Sequence, residues 1–319
     1  MLQKEELKAL SKPSAWRTSF SLLGDWLGIT LLFALLIFFP NPFTYLFCFI
    51  LMGRQQLALA IMMHDGAHAR LYKSLTLNHF LGQFFTAAPL FFSQDSYRKF
   101  HLKHHLNPLV PDDPDISLIG GYPISKKSFL RKILRDLFGV SYFKFIGYFL
   151  YQARKKSMNP SPRPCFDGLT TTSSSREEGE SGSKKNMPIG YLIFSILLIN
   201  SLMLGILWKL GHPWLYVFFW LLPLMTSLQV LLRIRGVAEH AGYQPDKNQL
   251  LNSRTVLNPL QAFFFAPHQV NYHMEHHQYP SIPYFNLPKV HGLMRERKTL
   301  PEKNIYSGYG QVLKELIIL

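Results

Sequence analysis

Eight of the thirteen histidines fall into three tight groups: His64 and His68; His101, His104 and His105; and His273, His276 and His277. Histidines three or four positions apart lie on one face of a helix, so each group is expected to present its imidazoles in one direction. Neutral imidazole binds iron, zinc, copper and nickel. One such group is unremarkable; three, each beside a long apolar run, point to metal. His240, alone in the stretch Ala238-Glu239-His240-Ala241-Gly242, is a ninth candidate. A single tetrahedral zinc takes four ligands at most. Nine suit two metals with four or five each. The zinc-protease pattern His-Glu-x-x-His does not occur, and Glu275 does not make the Glu-x-x-His of carboxylate-bridged bundles. The candidate ligand set is therefore almost all nitrogen.

The elements that must position these groups are apolar. Hydrophobic residues make up 48% of the 319-residue chain and concentrate in a few long runs. Residues 20–39 and 43–63 flank the breaker Pro40-Asn41-Pro42. Residues 189–207 and 213–232 flank the turn Trp208-Lys209-Leu210-Gly211-His212. Each run is long enough to span a bilayer. The predicted fold is an all-α integral membrane protein with four transmembrane helices in two hairpins and a cytoplasmic helical cap carrying the histidine groups. The patch 80–92, with Pro89 inside, is short for a span and reads as re-entrant or interfacial. The expected division is a polar arm at 1–18, a membrane domain at 19–291 and a polar tail at 292–319. Residues 159–187, rich in Pro, Ser, Thr, Gly and charge, read as a disordered loop.

Lys and Arg number 34 against 19 Asp and Glu, a net charge of +15. Four of them lie in 1–17, eighteen in 63–188 and ten in 233–319, while the two turns between apolar runs hold only Lys209. The positive-inside rule then places both termini and all histidine groups in the cytoplasm, as four spans require. This bias explains the basic balance without nucleic acid, for which no recognition motif is present. The basic face suits anionic lipid, an acidic electron donor or a phosphate-bearing thioester. Cys48 and Cys165 form no Cys-x-x-Cys pair, so neither a disulfide framework nor a thiolate metal site is indicated. Residues 1–17 lack the pattern of a cleaved signal peptide.

The chain resembles the membrane fatty acid desaturase superfamily, which includes acyl desaturases, lipid and carotenoid hydroxylases and carotene ketolases. The resemblance rests on His64/His68, His101/His104/His105 and His273/His276/His277 in the order His-x3–4-His, His-x2–3-His-His, His-x2–3-His-His. The flanks agree: Asp113-Pro114-Asp115 after the second box, and Pro280-Ser281-Ile282-Pro283 with Asn286-Leu287-Pro288 after the third. It covers about residues 54–291; the 159–187 segment departs from it. The resemblance implies two non-haem irons, O2 as co-substrate and an additional ligand at His240. It implies desaturation of the acyl chain of a fatty acid, acyl-lipid, acyl thioester or other lipid. The alternative is hydroxylation or ketolation of a lipid or carotenoid. A non-catalytic membrane metal-binding or transport protein is a remote third reading, disfavoured because the histidines gather outside the spans.

Asp65, Asp113, Asp115, Glu239 and Glu275 are candidates to hydrogen-bond a ligand imidazole and fix its tautomer. Asp25, Arg54 and Gln55 are intramembrane polar candidates, with Asp25 a partner for Arg54. His268 lies off the helix face of the third box, and His79, His212 and His291 stand alone as structural or solvated residues. No haem module, cysteine-ligated iron–sulfur motif or dinucleotide fingerprint is present. A separate donor, ferredoxin or cytochrome b5-like, is expected.

Overall fold

The computed structural model describes residues 1–144, 146–147 and 188–318. Cys165 and the 159–187 segment, read above as a loop, lie outside the described residues. A short helix, α1 (Lys4–Leu10), precedes two long ones, α2 (Ala15–Phe38) and α3 (Pro42–Ala67). Then come α4 (Leu75–Gly82), α5 (Gln94–Leu106) and α6 (Lys126–Leu137). Two further long helices follow, α7 (Ile189–Lys209) and α8 (Trp214–His240). The last stretch carries α9 (Pro259–Phe265), α10 (His273–Gln278), α11 (Leu287–Glu296) and α12 (Tyr309–Leu316).

The long helices α2, α3, α7 and α8 are each apolar enough to cross a bilayer, at 24, 26, 21 and 27 residues. About 20 are needed. The breaker at 40–42 also starts α3: Pro42 fits the first turn, where its missing N–H is no loss, and Asn41 Oδ1 accepts the Thr44 N–H at 3.0 Å. α3 is the central helix, since 61% of its apolar window is buried against 33% for α2 and 22% for α7. Cys48, Met52, Leu57 and Ile61 of α3 pack with Leu32 and Leu36 of α2 and with Leu215, Trp220 and Leu228 of α8. The outer faces stay apolar. Phe20, Leu23, Leu27 and Leu31 are exposed on α2, as are Ile193, Leu197 and Ile206 on α7. Such continuous apolar surface suits hydrocarbon rather than water.

α3 and α8 run further than their apolar composition. The expected spans 43–63 and 213–232 become helices ending at Ala67 and His240. Their polar last turns are buried among other helices, so the helical hydrogen bonding continues there. α8 is not regular: Val217–Leu221 is a π-turn and Thr226 departs from helical geometry. The 80–92 patch is a broken element. α4 passes into a π-turn at Gln83–Ala87 and a 3-10 turn at Ala88–Leu90, ending at Phe91 with φ 60°. It is fastened to neighbouring helices by Asn200 Nδ2 donating to Ala88 O at 2.9 Å and Trp220 Nε1 donating to Pro89 O at 3.1 Å.

Among the described residues the architecture is helical apart from two minimal parallel sheets. β1 (Ile124–Ser125) pairs with β4 (Ile317–Ile318), and β2 (Thr255–Val256) pairs with β3 (Ile305–Tyr306). Both terminal regions pack on the third histidine box. Leu10 joins Met274, Ile282, Leu287, Val290 and Met294 in one apolar cluster. Asn286 Nδ2 donates to Leu10 O at 2.7 Å, and Arg297 pairs with Glu6. The division drawn at 291/292 falls inside α11, and the one at 18/19 inside α2.

Candidate metal centre

Four elements bring the nine histidines together. His64 lies in the last turn of α3 and His68 caps it; His101, His104 and His105 lie on α5; His240 ends α8; His273, His276 and His277 lie on α10. Ligand nitrogens of His64, His68, His101, His105 and His276 all fall within 4.8 Å of one another. His68, His101, His105 and His276 meet Nε2 to Nε2 in succession at 2.9, 2.9 and 3.0 Å. A second group forms around His240, whose Nε2 lies 2.8 Å from His273 Nε2 and 3.3 Å from His104 Nε2. His277 Nε2 is 3.1 Å from His273 Nε2. The groups adjoin, with the rings of His105 and His277 stacked at 4.2 Å.

The boxes do not each point one way, as expected from spacing. Each of the doublets His104-His105 and His276-His277 is divided between the two groups. Adjacent residues on a helix diverge, whereas i and i+4 share a face. The pairs His64/His68, His101/His105 and His273/His277 therefore stay together, and His104 and His276 cross over.

The hydrogen-bond pattern tests whether a cation fits. His104 Nδ1 donates to Asp113 at 2.9 Å, and His240 Nδ1 donates to the Asn252 carbonyl at 2.9 Å. Neutral imidazole has one N–H, so both Nε2 atoms then present lone pairs 3.3 Å apart. A positive charge between them, a proton or a metal ion, makes that arrangement favourable. Protons are poorly placed to supply it in the five-histidine group. Burial pushes the His68 imidazole down to about 3, aided by Arg98 and Arg70. Burial, then neighbouring histidines, holds His101, His105 and His276 well below the ordinary range. His273 and His277 behave alike. His104 is the exception: burial pulls it down most, but its bond to Asp113 and the charges of Asp115, Asp113 and Glu239 together outweigh this and raise it. Buried neutral imidazoles facing one another are a donor set for metal ions.

The sequence profile of the family described as fatty acid desaturase matches residues 40–309, which contain all nine histidines. The chain belongs to the fatty acid desaturase family. It is 29% identical over 255 residues to dihydrorhizobitoxine desaturase of Bradyrhizobium elkanii, covering 76% of this chain and 65% of that protein. It is 33% identical over 87 residues to a beta-carotene ketolase from one Paracoccus strain, and 32% over 89 residues to that of another. Each ketolase match covers 25% of this chain and 34% of the ketolase. The chain thus spans less than two thirds of the length of these curated relatives.

Around the desaturase-family histidines the acidic candidates divide. Asp113 holds His104 Nδ1 with both oxygens, at 2.9 and 3.0 Å, and accepts the Leu109 and Asp115 N–H groups. Asp115 stands off at 3.7 Å from the same nitrogen. Asp65 lies 3.4 Å from His64 Nδ1 without hydrogen-bond geometry; its Oδ2 accepts the Tyr284 N–H at 2.9 Å, tying α3 to the loop after the third box. Glu275 holds no box imidazole. It accepts from Thr255 Oγ1 and pairs with His291 Nδ1, each at 2.5 Å, so His291 is a buried structural partner. Glu239 accepts from Arg235 at 2.8 Å.

The intramembrane candidates also rearrange. Asp25 pairs with His268 Nε2 at 2.8 Å rather than with Arg54, so His268 stands apart from the metal set, as its place off the third box's helix face implies. Arg54 donates to Phe263 O at 3.0 Å and to Gln55 Oε1; Gln55 Nε2 donates to Asp25 O at 3.0 Å. These contacts orient α2, α3 and α9. His79 lies 3.7 Å from Asp95 and His212 is half-buried in the turn before α8, neither near the centre. Sequence reasoning missed Asn252, whose contribution is a backbone carbonyl with no side-chain signature. It also missed the buried Asp136–Arg233 pair that ties α6 to α8. Tyr97, stacked on His101 at 5.4 Å and an interplanar angle of 6°, was legible four residues upstream on the same helix face.

Proposed function

We propose that this desaturase-family protein is an O2-dependent membrane oxidoreductase with two irons, desaturating the acyl chain of a fatty acid or lipid. The observation that carries the reading is the pair of adjoining buried groups, five histidines in one and four in the other. Iron bound there would activate dioxygen for attack on an unactivated C–H bond. His64, His68, His101, His105 and His276 would hold one metal; His104, His240, His273 and His277 the other. Asp113 and the Asn252 carbonyl keep the proton of His104 and His240 on Nδ1, leaving Nε2 free to bind. Enclosure by α3, α5, α8 and α10 keeps bulk water from the reacting chain. In desaturation, one O2, two electrons and two protons enter, two adjacent hydrogens leave the chain, and two waters form.

The electrons come from a separate donor, a ferredoxin or cytochrome b5-like protein, docking on a basic cytoplasmic face. The long helices form two hairpins, α2–α3 and α7–α8, with the histidine-bearing helices capping them on the cytoplasmic side. The ketolase relatives favour one second reading, oxygen insertion into a carotenoid or lipid. The desaturase match covers 76% of the chain against 25%, which favours desaturation. Lipid and pigment profiling by mass spectrometry tests the choice, in a host expressing the chain with a ferredoxin or cytochrome b5 donor and His277→Ala as control. Acyl species two mass units lighter, absent from the control, are expected. Species one oxygen heavier would replace desaturation with the second reading, and identical profiles would contradict both.

A further inference from the structure

The two histidine groups are unequal, five against four, and the deficit coincides with a buried carboxylate. Glu239 is 4% exposed and sits one residue before His240 in the final turn of α8. Its Oε1 accepts the Arg235 Nε–H at 2.8 Å, one helical turn back, which orients the carboxylate. Its Oε2 lies 3.5 Å from His273, and the atom it approaches is Nε2. That detail separates two roles. A carboxylate that orients a ligand imidazole binds Nδ1, the nitrogen away from the metal, as Asp113 does on His104. His273 uses Nε2 to face His240 at 2.8 Å and His277 at 3.1 Å, so this nitrogen points into the centre. Glu239 approaches from the same side. One ligand atom each of Glu239, His240 and His273 falls within 4.8 Å of the others.

We infer that Glu239 is itself a ligand of the four-histidine site, supplying through Oε2 the fifth donor that the other site receives from a histidine. The inference rests on the metal-centre reading above. It makes the two positions chemically distinct, because one has five neutral nitrogens and the other four nitrogens and an anionic oxygen. A carboxylate donor stabilises the higher charge of a hard metal ion, so the Glu239 position is the one more easily held oxidised. Arg235 holds the carboxylate aimed through its hydrogen bond to Oε1.

The test uses the whole protein, purified in detergent from cells grown with 57Fe. Metal content and Mössbauer spectra are compared for the unsubstituted protein, Glu239→Gln and Glu239→Asp. Gln preserves shape and an acceptor for Arg235 but removes the charge. We expect two spectroscopically distinct irons in the unsubstituted protein. In Glu239→Gln, one signal should be lost, or its iron removed by chelator at least about 10-fold more readily, with the other unchanged. Asp, which keeps the charge on a shorter side chain, should fold if Gln does not, and should shift the same signal alone. Full iron and unaltered spectra in every folded variant would overturn the assignment of Glu239 while leaving the metal centre intact. An unsubstituted protein that binds no metal would overturn both.

Discussion

Asp113 illustrates how a single side chain conditions the centre. Two backbone amides, of Leu109 and Asp115, fasten its carboxylate, and both oxygens face His104 Nδ1. Asp113→Asn keeps the size but offers the imidazole a neutral amide, so the preference for Nδ1–H weakens. Such a change should reduce metal affinity at the four-histidine group by about 10–100-fold. Competition with a chelator would measure it, and unaltered affinity would show that Asp113 has only a structural part. The eight box histidines were legible in sequence because their i, i+3 and i+4 spacings repeat. Their allocation was not, although the i, i+4 rule contains it once the doublets are seen to diverge. Glu275, one of the candidates to hold a ligand imidazole, points instead to Thr255 and His291 on other elements. Sequence proximity says little about partners that tertiary packing supplies.

Among the elements, α3 and α8 matter most, because their last turns carry His64 and His240. Their approach is close at Gly53. A Cβ added there would lie 2.2 Å from Ser227 Oγ and 3.1 Å from Leu228 N, and the latter is backbone that cannot rotate away. Gly53→Ala should therefore push the helices apart, costing about 1–3 kcal/mol, and lower iron occupancy of both groups. Gly24→Ala on α2, with nothing within 4 Å of the new Cβ, should do neither. Thermal melting and metal analysis of the two detergent-solubilised variants would check this; equal behaviour would refute the close-contact argument. Four apolar helices were readable from composition, because bilayer length demands it. Their ends were not, since the polar turns at 64–67 and 233–240 are stabilised by burial against other helices rather than by apolarity. The π-turns at Gln83–Ala87 and Val217–Leu221 carried no pattern distinct from an α-helix.

At the scale of the molecule, the charge distribution underlies the proposed orientation. The basic segments flank the histidine-bearing helices, while the turns at 39–42 and 210–213 are almost free of charge. If both termini and the centre are cytoplasmic, those turns lie on the opposite side. Asp112 and Leu210 are exposed, so a cysteine at either is open to labelling in a background carrying Cys48→Ala and Cys165→Ser. In intact bacterial cells, a membrane-impermeant maleimide should label position 210 and spare 112; permeabilised cells should label both. The reverse pattern would invert the orientation and move donor docking to the other face. The terminal regions also pack against the rest of the described chain. α1 covers the third box and the last strands pair with 124–125 and 255–256. Short polar termini give no sequence signal of such docking, because few apolar residues, Leu10 among them, make the contact.

The central claim is that nine buried histidines hold two metals, and the most direct measurement is metal stoichiometry. Protein purified from iron-replete cells, without added metal, should contain about two irons per chain, as nine ligands shared at four or five each require. His277→Ala removes a nitrogen from the four-histidine group alone, and should lower the content to about one while the protein remains folded. Substoichiometric metal in the unsubstituted protein after iron reconstitution, or two irons retained in His277→Ala, would contradict the account.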